Sequence, residues 1–175
     1  MTDIRRLETD QIAGHLPALI ALLQDAVDSG ASVGFLRPLS AEDARAYWLH
    51  VRAAVESSGR VLLVAFEGPE LLGSVQMEPA GLPNASHRAE VMKLFVHRRA
   101  QRRGIGRALM RAIEQEARAR GRRLLVLNTR VGDFTQELYE KIGYTPAGNI
   151  PGYARSSGGS LDPTVIMYRW LEEPD

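Results

Sequence analysis

Residues 89–111 read AEVMKLFVHRRAQRRGIGRALMR, and this stretch decides the fold. Its first part, residues 91–96, is a short apolar run with β-branched and aromatic side chains, interrupted only by Lys93, which predicts a buried strand. Apolar side chains then recur at helical spacing from Ile105 onward. Between the two parts, arginines at 98, 99, 102, 103 and 107 crowd around Gly104 and Gly106. The sequence therefore predicts a strand, an arginine-rich turn with two glycines, and a helix.

This turn is suited to a pyrophosphate. A helix that begins near Gly104 leaves its first N–H groups unpaired, and the helix dipole makes that end positive. Glycine lets a ligand approach the backbone donors, and the flanking guanidiniums add charge-assisted hydrogen bonds. A triphosphate loop GxxxxGK[ST] is excluded because neither Lys-Ser nor Lys-Thr follows the glycines, and the dinucleotide pattern GxGxxG fails at Leu109.

Length and composition bound the remaining possibilities. We expect residues 1–175 to form one domain, and 22 Lys plus Arg against 21 Asp plus Glu give no overall charge to attract nucleic acid or a membrane. The arginine-rich stretch lacks the aromatic residues that RNA stacking needs. The chain has no cysteine, no signal-peptide pattern at its start and no metal-binding spacing among its four histidines. We therefore expect a soluble cytoplasmic protein without a metal, a nucleic-acid partner or a membrane partner.

The rest of the chain supplies strands and helices around this stretch. Strands are predicted at 4–7, 61–66, 71–77, 124–127, 144–147 and 164–170, and helices at 12–27, 40–55 and 134–142. Pro17 either starts or kinks the first helix. The segments 31–38, 80–87 and 148–163 are predicted as loops. With the central strand and helix, this gives about seven strands and four helices, a mixed sheet covered on both faces.

Two motifs resemble those of one enzyme family. Residues 101–106, QRRGIG, resemble the Q/R-x-x-G-x-G/A motif of the Gcn5-related N-acetyltransferases (GNAT), and residues 138–144, LYEKIGY, resemble that family's LYEKLGF-type helix end. The order of strands and helices is also similar. The resemblance implies the α/β (α+β) GNAT fold with a mostly antiparallel seven-stranded sheet. It also implies acetyl-CoA as co-substrate and transfer of acetyl to an amine.

Segments outside the cofactor motif resemble the tabtoxin-resistance branch of that family, whose acceptor is a β-lactam amino-acid toxin. These are GASVGF at 30–35, RAEV at 88–91 with Lys93-Leu94, and IPGY at 150–153 with Leu161 and Pro163-Thr164. This resemblance implies a small-molecule amine acceptor and a role in toxin or antibiotic resistance. Gly34, Phe35 and Tyr153 are expected to wall the acceptor pocket.

The resemblance also implies roles at the reaction centre. Leu94, Phe95 and Val96 would bind the pantetheine arm by strand addition. The pyrophosphate would lie on Gln101, Arg102, Arg103, Gly104, Ile105, Gly106 and Arg107, and Phe134 and Tyr139 would complete the cofactor site. Tyr139 would be the proton donor or hydrogen-bond partner of the thiolate, since a tyrosine with its usual pKa of about 10 is protonated at neutral pH.

Glu90 would be the catalytic base. Placing a carboxylate at the edge of an apolar strand costs free energy unless the group is paired or has a catalytic use. Lys93 is not its obvious partner, because period-two alternation puts Lys93 on the opposite face of the strand. Asn128 departs from the resemblance, which implies an aspartate there as a second catalytic group, because an amide neither takes nor gives that proton.

Several alternatives stay open on the sequence. Tyr139 could pack a helix end, and Glu90 could be a solvated residue at a strand end. The chain could be an acetyl-CoA sensor without catalysis, or could acetylate a protein or peptide amine. It could act as a monomer or a homodimer.

Overall fold

The computed structural model describes residues 2–172. Its strands are β1 (Asp3–Arg6), β2 (Val61–Glu67), β3 (Glu70–Pro79), β4 (Arg88–Val96), β5 (Leu124–Arg130), β6 (Thr145–Arg155) and β7 (Leu161–Trp170). Its helices are α1 (Thr9–Gly14), α2 (Leu16–Asp28), α3 (Ala41–Ser57), α4 (Ile105–Ala119) and α5 (Phe134–Lys141), with short 3₁₀ turns at Pro83–Ala85 and Arg98–Ala100. The strands form one sheet in the order β1-β2-β3-β4-β5-β7-β6.

Among the strands of residues 2–172, only the central pair is parallel. β4 and β5 run in the same direction, and every other neighbouring pair is antiparallel. The predicted mixed, mostly antiparallel sheet of seven strands is therefore confirmed. Helix α4 provides the crossover that a parallel pair requires.

Helices cover both faces of the sheet. On one face, called here the α3 face, the side chains of α1, α2 and α3 pack on β2 and β3, with Trp48 and Phe95 among the fully buried residues. On the other, the α4 face, Ile105, Leu109 and Ile113 of α4 pack on the same sheet together with Tyr139 of α5. Burial of these apolar stripes on both sides drives the assembly of the three layers.

A β-bulge interrupts β4 at Lys93. Ser74 of β3 pairs with Phe95, but Gln76 pairs with Met92, so β4 carries one extra residue, and Lys93 has a positive φ of 57°. Before the bulge, Ala89 and Val91 face α4, whereas after it Leu94 and Val96 do so. Lys93 therefore shares the α3 face with Glu90. The prediction of opposite faces is wrong because the extra residue reverses the alternation.

The sheet opens between β4 and β5. Their pairing covers only the first three residue pairs and ends at Glu90 and Val126. β5 nevertheless continues to pair with β7 as far as Arg130. Beyond Glu90, the β5-side edge of β4 therefore has no strand partner, and a gap separates residues 92–96 from residues 127–130.

Two predictions of local structure need correction. The first predicted helix is two helices, because the chain breaks at His15 and restarts with Pro17 in the first turn of α2. The predicted loop at 148–163 is mostly a hairpin of β6 and β7. β6 is an exposed edge strand with two irregularities in register, and an edge accommodates its prolines and glycines. No helix within residues 2–172 is long and apolar enough to cross a membrane.

Candidate active site

The start of α4 presents free backbone donors. Gly104 is the N-cap with a φ of 83°, and no side chain caps the helix. The first hydrogen bond of the helix runs from Ala108 N to Gly104 O at 3.0 Å, so the N–H groups of residues 105–107 have no acceptor within the helix. A Cβ atom on Gly104 would meet nothing within 4 Å. Glycine is therefore required here by the positive φ, and the space before the helix is open.

Gly106 has a different role from Gly104. A Cβ atom there would lie 3.3 Å from Leu138 Cδ2, 3.8 Å from Val96 Cγ2 and 3.9 Å from Leu94 Cδ2. The missing side chain lets α5 and the end of β4 pack closely against the first turn of α4. Gly106 thus brings the three elements together, and Tyr139 follows Leu138 directly in α5.

The arginines around the turn divide into two groups. Arg98, Arg99 and Arg103 pair with carboxylates of other elements, respectively Asp25, Glu70 at 3.1 Å and Glu67 at 2.6 Å. Arg102 and Arg107 are exposed, and neither pairs with a carboxylate within residues 2–172. Gln101 donates from Nε2 to Val96 O at 3.2 Å and so ties the turn to β4. Arg102 and Arg107 are consequently the guanidiniums available to an anion at this helix end.

The three predicted pantetheine residues on β4 follow the bulge. Phe95 is 1% exposed and packs edge-to-face near Trp48, with ring centroids 6.4 Å apart. Leu94 and Val96 are partly buried on the α4 face. Their side chains thus fix the strand from both sides, while its edge faces the gap toward β5. Such an edge can pair with an extended amide-containing chain.

Tyr139 lies deep beneath α4. Its side chain belongs to the core of the α4 face, and its ring lies 5.8 Å from that of Tyr144. Burial raises the pKa of Tyr139, so its hydroxyl stays protonated at neutral pH. Tyr139 is 6% exposed, and the buried tyrosine hydroxyl without a hydrogen-bond partner among the described residues is that of its neighbour Tyr144. Phe134, at the start of α5, is 64% exposed.

Glu90 lies at the point where the strands separate. It is exposed on the α3 face, directly opposite Glu78 of β3 and Val126 of β5. Glu78 is bound by Arg60. The two adjacent carboxylates thus differ in their ion pairing. Glu78 is paired with Arg60, whereas Glu90 has no ion pair within the described chain.

A polar network extends from Glu78 across the α3 face. Arg60 donates from Nη1 to Gln76 Oε1 at 3.4 Å, and the fully buried Gln76 donates from Nε2 to the hydroxyl of Tyr47 at 2.8 Å. Burial raises the pKa of Tyr47 to about 12. This network was missed in the sequence. Its signal was the polar pair Gln76 and Glu78 at alternate positions of an otherwise apolar strand.

Lys93 connects the bulge to the loop between α2 and α3. Its Nζ donates to Val33 O and lies 5.7 Å from the centroid of the Phe35 ring. Burial lowers the pKa of Lys93, and the charge of Glu90 partly opposes this effect. Lys93 therefore holds the loop over the sheet beside Glu90.

Asn128 and a cavity complete this side of the site. Asn128 is exposed on β5, two residues beyond Val126 and so on the same face as Glu90. A cavity of about 360 Å³ lies between residues 30–37 and the β6–β7 hairpin, and Gly34, Phe35 and Arg130 contribute to its wall. Tyr153 is 54% exposed on β6 and is not part of that wall.

The acetyltransferase (GNAT) family model matches residues 21–144. The chain belongs to this family. A relative is 35% identical over 133 residues, which are 74% of this chain and 77% of that protein: an uncharacterized N-acetyltransferase in the hisH-hisA intergenic region of Azospirillum brasilense.

Solved structures of low sequence identity share the fold of this acetyltransferase. The ribosomal-protein-alanine N-acetyltransferase of Brucella melitensis has a TM-score of 0.80 at 24% identity, covering 97% of this chain and 99% of that one. The structure of yncA from Salmonella typhimurium with its cofactor acetyl-CoA has a TM-score of 0.81 at 20% identity, covering 100% and 96%. The predicted GNAT fold is thereby confirmed. These similarities show the family and do not show the predicted resemblance to its tabtoxin-resistance branch.

The site of this GNAT acetyltransferase fits the acyl donor of the family, acetyl-CoA. Free N–H groups at residues 105–107 and the unpaired Arg102 and Arg107 match a pyrophosphate. The open edge of β4 matches the amide-containing pantetheine arm. The prediction of acetyl-CoA as co-substrate is confirmed. Within residues 2–172 no group of three His, Cys, Asp or Glu residues could hold a metal ion.

Proposed function

We propose that this acetyltransferase transfers acetyl directly from acetyl-CoA to the primary amine of a small, amino-acid-like molecule. Residues 1–175 act in this proposal as one acetyltransferase domain. One observation carries the proposal. The Glu90 carboxylate, the gap that begins beyond Glu90 and a cavity of about 360 Å³ all lie on the same side of the sheet.

In this proposal acetyl-CoA supplies the activated acetyl thioester. Its pyrophosphate is held by Gln101, Arg102, Arg103, Gly104, Ile105, Gly106 and Arg107, and its pantetheine arm by Leu94, Phe95 and Val96, with Phe134 at the start of α5. Because Arg103 already pairs with Glu67 at 2.6 Å, Arg102 and Arg107 carry most of the positive charge in this role. A backbone N–H of β4 polarises the acyl carbonyl.

Glu90 removes the proton from the acceptor amine. A primary amine has a pKa near that of lysine, about 10.4, so it is protonated at neutral pH and needs a base before its lone pair can attack. The engagement of Glu78 with Arg60 leaves Glu90 as the carboxylate available beside the gap. Asn128, on the same face, hydrogen-bonds the acceptor or a water.

Tyr139 donates a hydrogen bond to the sulfur that leaves. Its raised pKa keeps the proton on the phenol, so it stabilises a developing thiolate without being ionised itself. The close packing of α5 against the first turn of α4 at Gly106 supports this role, since Tyr139 directly follows Leu138.

The size of the cavity supports a small acceptor. A volume of about 360 Å³ lies within the range of pockets that enclose small molecules. The segments similar to the tabtoxin-resistance branch support the same class and a role in toxin or antibiotic resistance in the cytoplasm. A protein amine and acetyl-CoA binding without catalysis are the alternatives.

Thiol release from acetyl-CoA across a panel of acceptors tests the proposal. The panel comprises small amino acids, amino-acid-like antibiotics, and peptides with an N-terminal alanine or an internal lysine. We expect release with small amines and product masses that correspond to a single added acetyl group. Thiol release only with peptides would show that the acceptor is a protein amine and not a small molecule. Binding of acetyl-CoA without any thiol release would favour the alternative of an acetyl-CoA sensor without catalysis.

A further inference from the structure

The cavity between residues 30–37 and the β6–β7 hairpin carries an excess of positive charge. Its charged side chains are Arg37 from the loop before α3, Arg130 from β5, and Arg155 and Asp162 from the β6–β7 hairpin. Arg130 Nε lies 3.1 Å from Asp162 Oδ2, and Ser160 donates to the other oxygen of that carboxylate at 2.8 Å. Arg130 and Asp162 thus neutralise each other, which leaves two guanidiniums in the wall.

Among the described residues, the guanidinium groups of Arg37 and Arg155 donate hydrogen bonds only to main-chain oxygens. Arg37 donates from Nη1 to Asp28 O at 3.4 Å, and Arg155 donates from Nη1 to Gly159 O at 3.1 Å. Neither forms an ion pair within residues 2–172. A guanidinium carries five N–H donors, so each retains most of its donors for a ligand.

The two arginines belong to opposite walls that are joined to each other. The backbone N–H of Arg37 donates to Ser157 Oγ at 3.1 Å, which links the loop to the hairpin. Arg130 donates from Nη2 to Gly30 O at 3.2 Å and links the loop to β5. The walls are therefore joined by hydrogen bonds before any acceptor enters, a preorganisation that favours binding.

We propose that Arg37 and Arg155 form a subsite for a carboxylate carried by the acceptor amine. This inference rests on the proposed function and narrows its substrate class. Arg37 and Arg155 are exposed residues that line the same cavity. Two guanidiniums at one site bind a carboxylate through charge-assisted, often bidentate, hydrogen bonds. The amine of the same molecule then extends past Phe35 and Lys93 toward Glu90, since Phe35 lines the cavity and Lys93 lies at its ring.

Lys93 strengthens the selection for this class of acceptor. Its ammonium contacts Val33 and Phe35 of the cavity wall and interacts electrostatically with Glu90, so a purely cationic amine meets positive charge at this wall. An acceptor with a carboxylate at the arginine end has its charge compensated there. Amino acids are therefore better acceptors than the corresponding amides or diamines.

Matched acceptors and variants test the subsite. The acceptors are glycine, 4-aminobutyrate and L-methionine, each compared with its carboxamide, and the variants are Arg37→Gln, Arg155→Gln and their combination. Arg45→Gln, an exposed arginine on α3 outside the cavity, is the control. We expect wild type to prefer at least one acid over its amide by about 10- to 100-fold in kcat/KM, mainly through KM.

The same pairs separate the subsite from general loss of function. Each single variant is expected to lose about tenfold for the acid and little for the amide, and the double variant to lose the preference. Equal use of acids and amides by wild type, or an unchanged preference in the double variant, would overturn the subsite and leave the acetyltransferase proposal standing.

If the enzyme acetylates none of these amines, a binding measurement tests the subsite instead. Calorimetry with coenzyme A present compares N-acetyl-L-methionine with its amide. Tighter binding of the acid that is lost in the double variant, but not in Arg45→Gln, supports the subsite. Equal binding of acid and amide, or no binding of either, contradicts it.

Discussion

Glu90 differs from its neighbour Glu78 only in what surrounds it. The two carboxylates face each other across β3 and β4, but Arg60 binds Glu78. We predict that Glu90→Gln lowers kcat by about 100-fold or more, because the amide has the shape of the base but cannot accept a proton. Steady-state kinetics measure this, with acetyl-CoA affinity by calorimetry expected to be unchanged.

Two further variants serve as comparisons for Glu90→Gln. Glu56→Gln, an exposed glutamate on α3, is the matched control and is expected to keep wild-type kinetics. Asn128→Asp is expected to keep or raise activity, since it adds a carboxylate on the same face of the sheet. Full activity of Glu90→Gln at neutral pH would remove Glu90 from the role of base.

Tyr139 offers a test in which activity and stability separate. We predict that Tyr139→Phe lowers kcat by about 10- to 1000-fold and leaves acetyl-CoA affinity nearly intact, because the lost hydrogen bond forms only as the thiolate develops. The free energy of unfolding is expected to change little, since the ring that packs in the core of the α4 face is kept. Wild-type turnover in this variant would reduce Tyr139 to a packing role.

At the scale of elements, the bulge in β4 sets which side chains meet at the site. It turns Lys93 to the face of Glu90 and lets its ammonium bond Val33 O in the loop between α2 and α3. We predict that Lys93→Met raises the KM for the acceptor by about tenfold through a looser loop. Unfolding by urea is expected to show equal or higher stability, because a partly buried charge is replaced by an apolar chain of similar length. A strongly destabilised protein with unchanged KM would contradict this account of the bulge.

The N-terminus of α4 is the second element with a direct test. We predict that Gly104→Asp weakens acetyl-CoA binding by about tenfold or more, since it places a carboxylate at the position that we propose for the pyrophosphate. Gly104→Ala has the same strain from the positive φ of 83° without the charge and is expected to weaken binding much less.

Gly121 provides a control at the other end of the same helix. It also has a positive φ, 68°, and open space around its Cβ position. Gly121→Asp should therefore resemble Gly104→Asp in strain but leave acetyl-CoA affinity unchanged in calorimetry. Equal affinity of Gly104→Asp and wild type would remove the pyrophosphate from this turn.

The turn was predictable from sequence, and the bulge was not. Arginines around two glycines before a helical pattern specify a helix N-terminus directly, because each of those residues acts locally. The run VMKLFV at 91–96, in contrast, has nothing that marks an extra residue, and the bulge follows from pairing with β3. Arg37 and Arg155 meet only through tertiary structure, since 118 positions separate them in the numbering of the chain. The length of β6 could not be predicted from the sequence, because an edge strand accepts the prolines and glycines that usually indicate a loop.

The whole molecule is a sheet held closed at one end and open at the other. Three residue pairs join β4 to β5, and beyond Glu90 the helices of the two faces and the strands β3 and β7 keep the separated halves in place. The gap therefore exists before any ligand is present. In the proposed function the donor approaches this gap from the start of α4 and the acceptor from the cavity, so the two substrates meet at the end of the pairing between β4 and β5.

Amide hydrogen exchange of the whole chain with and without acetyl-CoA tests this arrangement most directly. The account predicts that exchange slows in the peptides covering residues 94–96 and 105–107, by up to about 100-fold for amides that bond the ligand at 100 times its Kd. Peptides from β2 and β6, away from the gap, are expected to change little. Protection confined to other segments, with none at residues 94–96 and 105–107, would contradict the placement of the site.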